Sequence, residues 1–168
     1  MSTSDQHAID RAVARLIAAG LADDGAIQGC REDEIRHLER GLGLVLPSIY
    51  RQFLARMGRS AGAFLSGTDF LSARLPELRR QAERLLDQAG VPFRLADADF
   101  VFAMHQGYQF LYFTTGEVDD PAVWHFADGD AQPRRVFDHF SQWLSACISD
   151  EIAAWEGIRA AGSHRVSG

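Results

Sequence analysis

Lysine is absent from this 168-residue chain, and all 17 basic residues are arginine. Against them stand 15 aspartates and 8 glutamates, a formal charge of −6 and a pI near 5.4. A duplex nucleic-acid binder needs a basic face to displace phosphate counterions, so direct nucleic-acid binding is not expected. A basic protein remains a suitable partner. The missing lysine itself is read as codon bias and carries no mechanism. Cysteine is equally scarce. Cys30 and Cys147 lie far apart, with neither C-x-x-C nor Cys/His spacing, and are expected as structural thiols in a reducing compartment. No segment approaches the roughly 20 apolar residues of a membrane span. The opening MSTSDQHAIDRAVARLI lacks the basic start and unbroken apolar run of a secretory signal. A cytoplasmic protein without membrane contact is expected.

What is present suffices for one domain. Apolar residues make up 46% of the chain, and a chain of this size buries roughly 70% of its unfolded surface without a disulfide or metal. Ile9, Val13, Leu16 and Ile17 recur at helical spacing, with Asp5 as N-cap and Gly20 as stop. A second helix is expected over 32–42, its acidic start suited to the positive end of the helix dipole. Pro47 opens a third, whose stripe of Ile49, Tyr50, Phe53, Leu54 and Met57 ends at Gly58, expected as a left-handed cap. Residues 62–71 suggest one or two short strands. Residues 76–89 form the clearest helix of the middle region, striped by Leu78, Ala82, Leu85 and Leu86.

Beyond Pro92 the residues become aromatic and β-branched, as strands prefer. Strands are expected over 99–104, 109–114 and 122–127, with a hairpin turn at His105–Tyr108 and an edge strand at 135–137. Asp138 is expected to cap a final helix striped by Phe140, Trp143, Leu144, Cys147, Ile148, Ile152 and Trp155. Helices, then a meander, then a helix imply an α+β fold. Its mainly antiparallel sheet would carry helices packed on one face.

Catalytic signals are weak. His105, His125 and His139 sit on a turn, a strand and a helix start, and no element carries the short ligand pair that a zinc site favours. There is no G-x-S-x-G, and Gly41-Leu42-Gly43-Leu44 lacks the G-K-[ST] of a phosphate loop. Asp119-Asp120 and Asp128-Gly129-Asp130 are calcium-type donors without the twelve-residue loop, and read as solvated turns. No catalytic residue, metal or cofactor is expected. The aromatic strands are more informative. Phe110 and Tyr112 face one way, Leu111 and Phe113 the other, so both faces of the sheet are apolar while helices would cover one. Tyr108, Tyr112 and Trp124, ringed by Asp97, Asp99, Asp119, Asp120, Asp128 and Asp130, are therefore the candidate partner-binding residues.

Two stretches carry a family resemblance. The first is EIRHLERGLGLVLPSIYRQFLARMG, with an E-I-x-x-L-E helix, a glycine link, Leu46-Pro47, and a Tyr50/Phe53/Leu54 helix closed by Gly58. The second is FVFAMHQGYQFLYFTTG, followed by DDPAVWHF and FDHFSQWL. Both resemble the SUKH family, over about residues 27–157. The resemblance implies an α+β domain without known catalytic residues and, in bacteria, an immunity protein that neutralises a cognate toxin by direct binding. By analogy, an acidic domain suits a basic toxin such as a nuclease. The alternative it implies is a non-catalytic regulatory or scaffold protein. On this reading, 1–26 is an N-terminal helical extension and 158–168 a flexible tail; Glu39 is a candidate buried hydrogen-bonding residue.

Overall fold

The computed structural model describes residues 3–116 and 118–163. The elements are α1 (Thr3–Ala18), β1 (Ile27–Gln28), α2 (Glu32–Leu42), α3 (Ser48–Met57), β2 (Ser60–Ala61) and β3 (Thr68–Asp69). They continue with α4 (Leu75–Ala89), β4 (Asp99–His105), β5 (Gln109–Thr114), β6 (Val123–Ala127), β7 (Arg134–Phe137) and α5 (Phe140–Ser163). Strands β3 to β7 make a five-stranded sheet in sequence order with every pair antiparallel, and β1 pairs with β2 separately. The α+β class with a mainly antiparallel sheet is what the structure shows.

Strand alternation sorts the aromatics into two layers. Phe100 pairs with Phe113 across β4 and β5, and their rings, with Phe102, pack against Tyr50 of α3 and Phe140 of α5. This is the core proper: Tyr50, Phe53, Phe102, Phe113 and Phe140 are all fully buried. The expected helix layer is therefore present, but the opposite face is closed as well. There Tyr112 meets Phe93, which follows α4, and Phe110 meets Phe126. Helix α4 lies along β4 and β5 with Leu78, Ala82 and Leu86 completely buried. Helices confined to one face would leave the Phe110–Tyr112–Phe126 side wet, and α4 removes that cost.

Other differences are local. Helix α1 starts at Thr3, so Asp5 lies inside its first turn. Its stripe of Ile9, Val13 and Leu16 belongs to the common core, and Arg15 ties it to α5 by donating to Ser149 Oγ (2.6 Å) and to the Ser145 carbonyl (3.3 Å). Gly58 is right-handed (φ −71°), not left-handed. Glycine is required there for space: a Cβ would stand 2.7 Å from the Leu54 carbonyl oxygen and 2.9 Å from Cys30 Sγ. Residues 158–163, expected in a flexible tail, continue α5; residues 164–168 lie outside the described residues. Cys30 and Cys147 are free thiols, one buried and one half-buried. No helix among the described residues is long and apolar enough to cross a membrane.

Candidate partner-binding surface

A meander places its turns alternately at two ends, and the candidate residues divide between them. The hairpin end carries the β4–β5 and β6–β7 turns. In the first, Gln106 (φ 47°) and Gly107 (φ 78°) both adopt the left-handed conformation that reverses a chain tightly. Tyr108 then projects with 44% of its surface exposed, its ring edge-on to His105 at 5.4 Å. The Asp128 N–H donates to the Tyr108 carbonyl (2.8 Å), fastening one turn to the other. Asp130 accepts the Ala127 N–H (2.8 Å) and shapes its own turn, while Asp128 is exposed. Tyr108, Asp128 and Asp130 thus share one end.

The loop end carries the other four aspartates, and two of these work inside the protein. Asp99 is only 7% exposed; its carboxylate accepts the Ala96 N–H (2.8 Å) and the Thr114 hydroxyl (2.7 Å). Asp120 accepts the N–H (3.0 Å) and hydroxyl (2.6 Å) of Ser141, in the first turn of α5. That helix is therefore capped from the β5–β6 loop, while Asp138, the expected cap, pairs with Arg135 (2.9 Å). Asp97 and Asp119 are exposed, and the Asp119 carbonyl accepts the Ile49 N–H (3.2 Å). Tyr112 and Trp124 lie on the α4 side of the sheet between the two ends. Tyr112 is 4% exposed and stacks on half-buried Trp124 (21°, centroids 6.3 Å apart). Burial, aided by Asp99, pushes the Tyr112 hydroxyl well above its ordinary pKa.

The loop end also holds residues that pattern reading passed over. Val45 is 75% exposed and Val118 57%, and both line a groove with Pro47 and Asp119. The signal was present: Val45 lies between two helices and belongs to neither stripe. Its link is held firmly, because Glu39 accepts the Leu46 N–H (2.9 Å) and forms an ion pair with Arg51. Glu39 thus makes the hydrogen bond expected of it, from a half-buried rather than a fully buried position.

The histidines separate too. His139 Nδ1 contacts the Asp120 carbonyl (3.0 Å) at the loop end, whereas His105 and His125 line one cleft beside the hairpin end. Among the described residues no group of three or more His, Cys, Asp or Glu is placed to hold a metal ion.

No curated protein matches the chain. The sequence pattern of the SMI1 / KNR4 family (SUKH-1) matches residues 29–146, from just before α2 into α5 and across the whole sheet. That match spans well over half of the chain and includes the link pinned by Glu39, the two turns of the hairpin end and the Asp120-capped start of α5, so the chain belongs to the SMI1 / KNR4 family (SUKH-1).

Proposed function

We propose that the protein is an immunity protein that binds a cognate bacterial toxin domain and blocks it without chemistry of its own. The observation that carries this reading, within the family, is the hairpin end: an exposed tyrosine on a tight turn, with Asp128 beside it and a cleft adjoining. Tyrosine anchors and acidic rims are what a protein interface uses to bind and to steer a basic partner. A chain of formal charge −6 suits a basic, nuclease-type cleft, and the cytoplasm is where such a toxin would act. The test is co-expression with the toxin encoded beside this gene. Rescue of growth and a direct complex of purified proteins are expected; failure of both refutes the proposal.

A second reading draws on the opposite end. Val45 and Val118, exposed beside Asp119, offer a separate apolar groove, as a regulatory scaffold joining two proteins would need. A complex formed through that groove, with no rescue from any neighbouring toxin, would favour it.

A further inference from the structure

A groove between α1 and α5 has a chemistry that the proposed function leaves unused. It holds about 300 Å³, at the lower end of the roughly 300 to 1,000 Å³ that small-molecule sites occupy. Ile9, Ala12 and Leu144, all buried, give it an apolar lining. Its polar lining is Arg11, Arg15, Ser141, Gln142 and Ser145, with no carboxylate among them. That is the reverse of the balance of the whole chain, whose formal charge is −6. One wall, α1, lies wholly before the residues that match the family, so the groove is not part of the family pattern.

The two arginines are the informative groups. They stand at i and i+4, one turn apart on one face of α1. Arg15 is fixed by neutral oxygens alone: Nη2 donates to Ser149 Oγ (2.6 Å), and Nη1 to the carbonyl and hydroxyl of Ser145 (both 3.3 Å). A guanidinium has five N–H donors, so at least two remain. Arg11 is exposed and makes no hydrogen bond or ion pair with any described residue. Two neighbouring carboxylates are engaged elsewhere, Asp10 with Arg56 (3.4 Å) and Asp120 with the N–H and hydroxyl of Ser141. Ser145 Oγ accepts from Arg15 and keeps its own O–H to give. The groove thus collects donors and two positive charges, and like charges one turn apart weaken a helix unless an anion offsets them. A carboxylate brings two oxygens and one charge, enough for one guanidinium. A phosphomonoester brings three terminal oxygens and a charge of about −1.5 to −2 at neutral pH, enough for two.

We infer that the groove between α1 and α5 binds a small phosphomonoester, its phosphoryl group shared by Arg11 and Arg15 and its organic part against Ala12 and Leu144. Arg15 is held in place beforehand by its serine contacts, and Arg11, which the fold does not use, supplies the second guanidinium. The Ser145 hydroxyl donates to a further phosphoryl oxygen. This site goes beyond toxin binding and uses no residue of the hairpin end.

The test uses the full chain and three probes: phenyl phosphate, phenyl sulfate and inorganic phosphate. At about pH 7.5, above the second phosphate pKa of about 6, phenyl phosphate is a dianion. Phenyl sulfate keeps the ring and three terminal oxygens but carries one charge. ¹H–¹⁵N spectra follow the backbone amides of Ala12 and Ser145 and the side-chain amide of Gln142. Phenyl phosphate should shift them saturably in the millimolar range expected of so small a ligand. It should bind roughly tenfold tighter than phenyl sulfate, and Arg11→Gln should remove roughly that factor. Inorganic phosphate, without an apolar part, should bind more weakly than phenyl phosphate. Arg11 is exposed, so its replacement leaves the core resonances in place and the comparison valid. No saturable shift at these residues, equal binding by phenyl sulfate, or undiminished binding by Arg11→Gln overturns the site.

Discussion

At the loop end of the sheet Asp99 and Asp120 turn their carboxylates inward, one onto a turn N–H and a strand hydroxyl, the other onto the first turn of α5. At the hairpin end Asp128 faces solvent beside an exposed Tyr108. The residue type is the same, and the difference lies in what surrounds it. A carboxylate that meets unpaired N–H and O–H donors becomes part of the scaffold. One that finds none stays hydrated and is free to meet a partner. Composition alone therefore overcounts recognition residues, because an acidic cluster in sequence mixes both uses.

The comparison breaks most severely at the residue that supports the cleft from below. Trp143 packs edge-on to Phe102 (4.8 Å) and beside Phe140 while lining the cleft beside the hairpin end. Trp143→Ala should cost about 3–5 kcal/mol of stability, read from urea unfolding. Next comes the contrast between the ends. Asp120→Ala should cost about 1–2 kcal/mol, as loss of a helix cap does. Asp128→Ala should change stability by no more than about 0.5 kcal/mol, as a surface substitution does. Equal losses for the two would erase the distinction drawn above.

The third prediction asks which end meets the partner. Asp128→Asn should slow association with the proposed toxin partner and flatten its salt dependence while leaving dissociation almost unchanged. Asp119→Asn at the loop end should do neither. The reverse result in stopped-flow or surface-capture kinetics would move the interface to the Val45–Val118 groove.

The smallest effect is one of pH. Burial first, then the Arg134 charge, holds the His125 imidazole below its ordinary value of 6.5, against a weaker opposing pull from Asp130. The unfolded chain therefore takes up this proton more readily than the folded one. Stability from this site is complete above about pH 6.5 and declines as the pH falls through it, because protonation then favours the unfolded state. His125→Gln should flatten that decline in unfolding free energy between neutral and mildly acidic pH. An unchanged slope would mean that the ring is not shielded as its position implies.

Local chemistry determined much of this protein by itself. Helical stripes, the residue types of β4 to β6, the Gln106-Gly107 reversal and the Leu46-Pro47 restart each depend on residues a few positions apart, so their periods and turn signals can be read along the chain. The class and the family resemblance followed from the same short-range patterns. Tertiary structure decided the rest, because the deciding neighbours are distant in sequence. Whether Tyr112 stands exposed depends on Phe93 and on which side α4 packs. The cap of α5 comes from Asp120, 21 residues before Ser141. Gly58 is glycine because Leu54 and Cys30 leave no room for a Cβ, a reason invisible to turn preferences. The cleft exists only because β3 to β6 and α5 bring Thr68, His105, Gln109, His125 and Glu151 together. Only the folded chain shows that His125, a lone histidine on a strand, has one ring nitrogen buried without a partner.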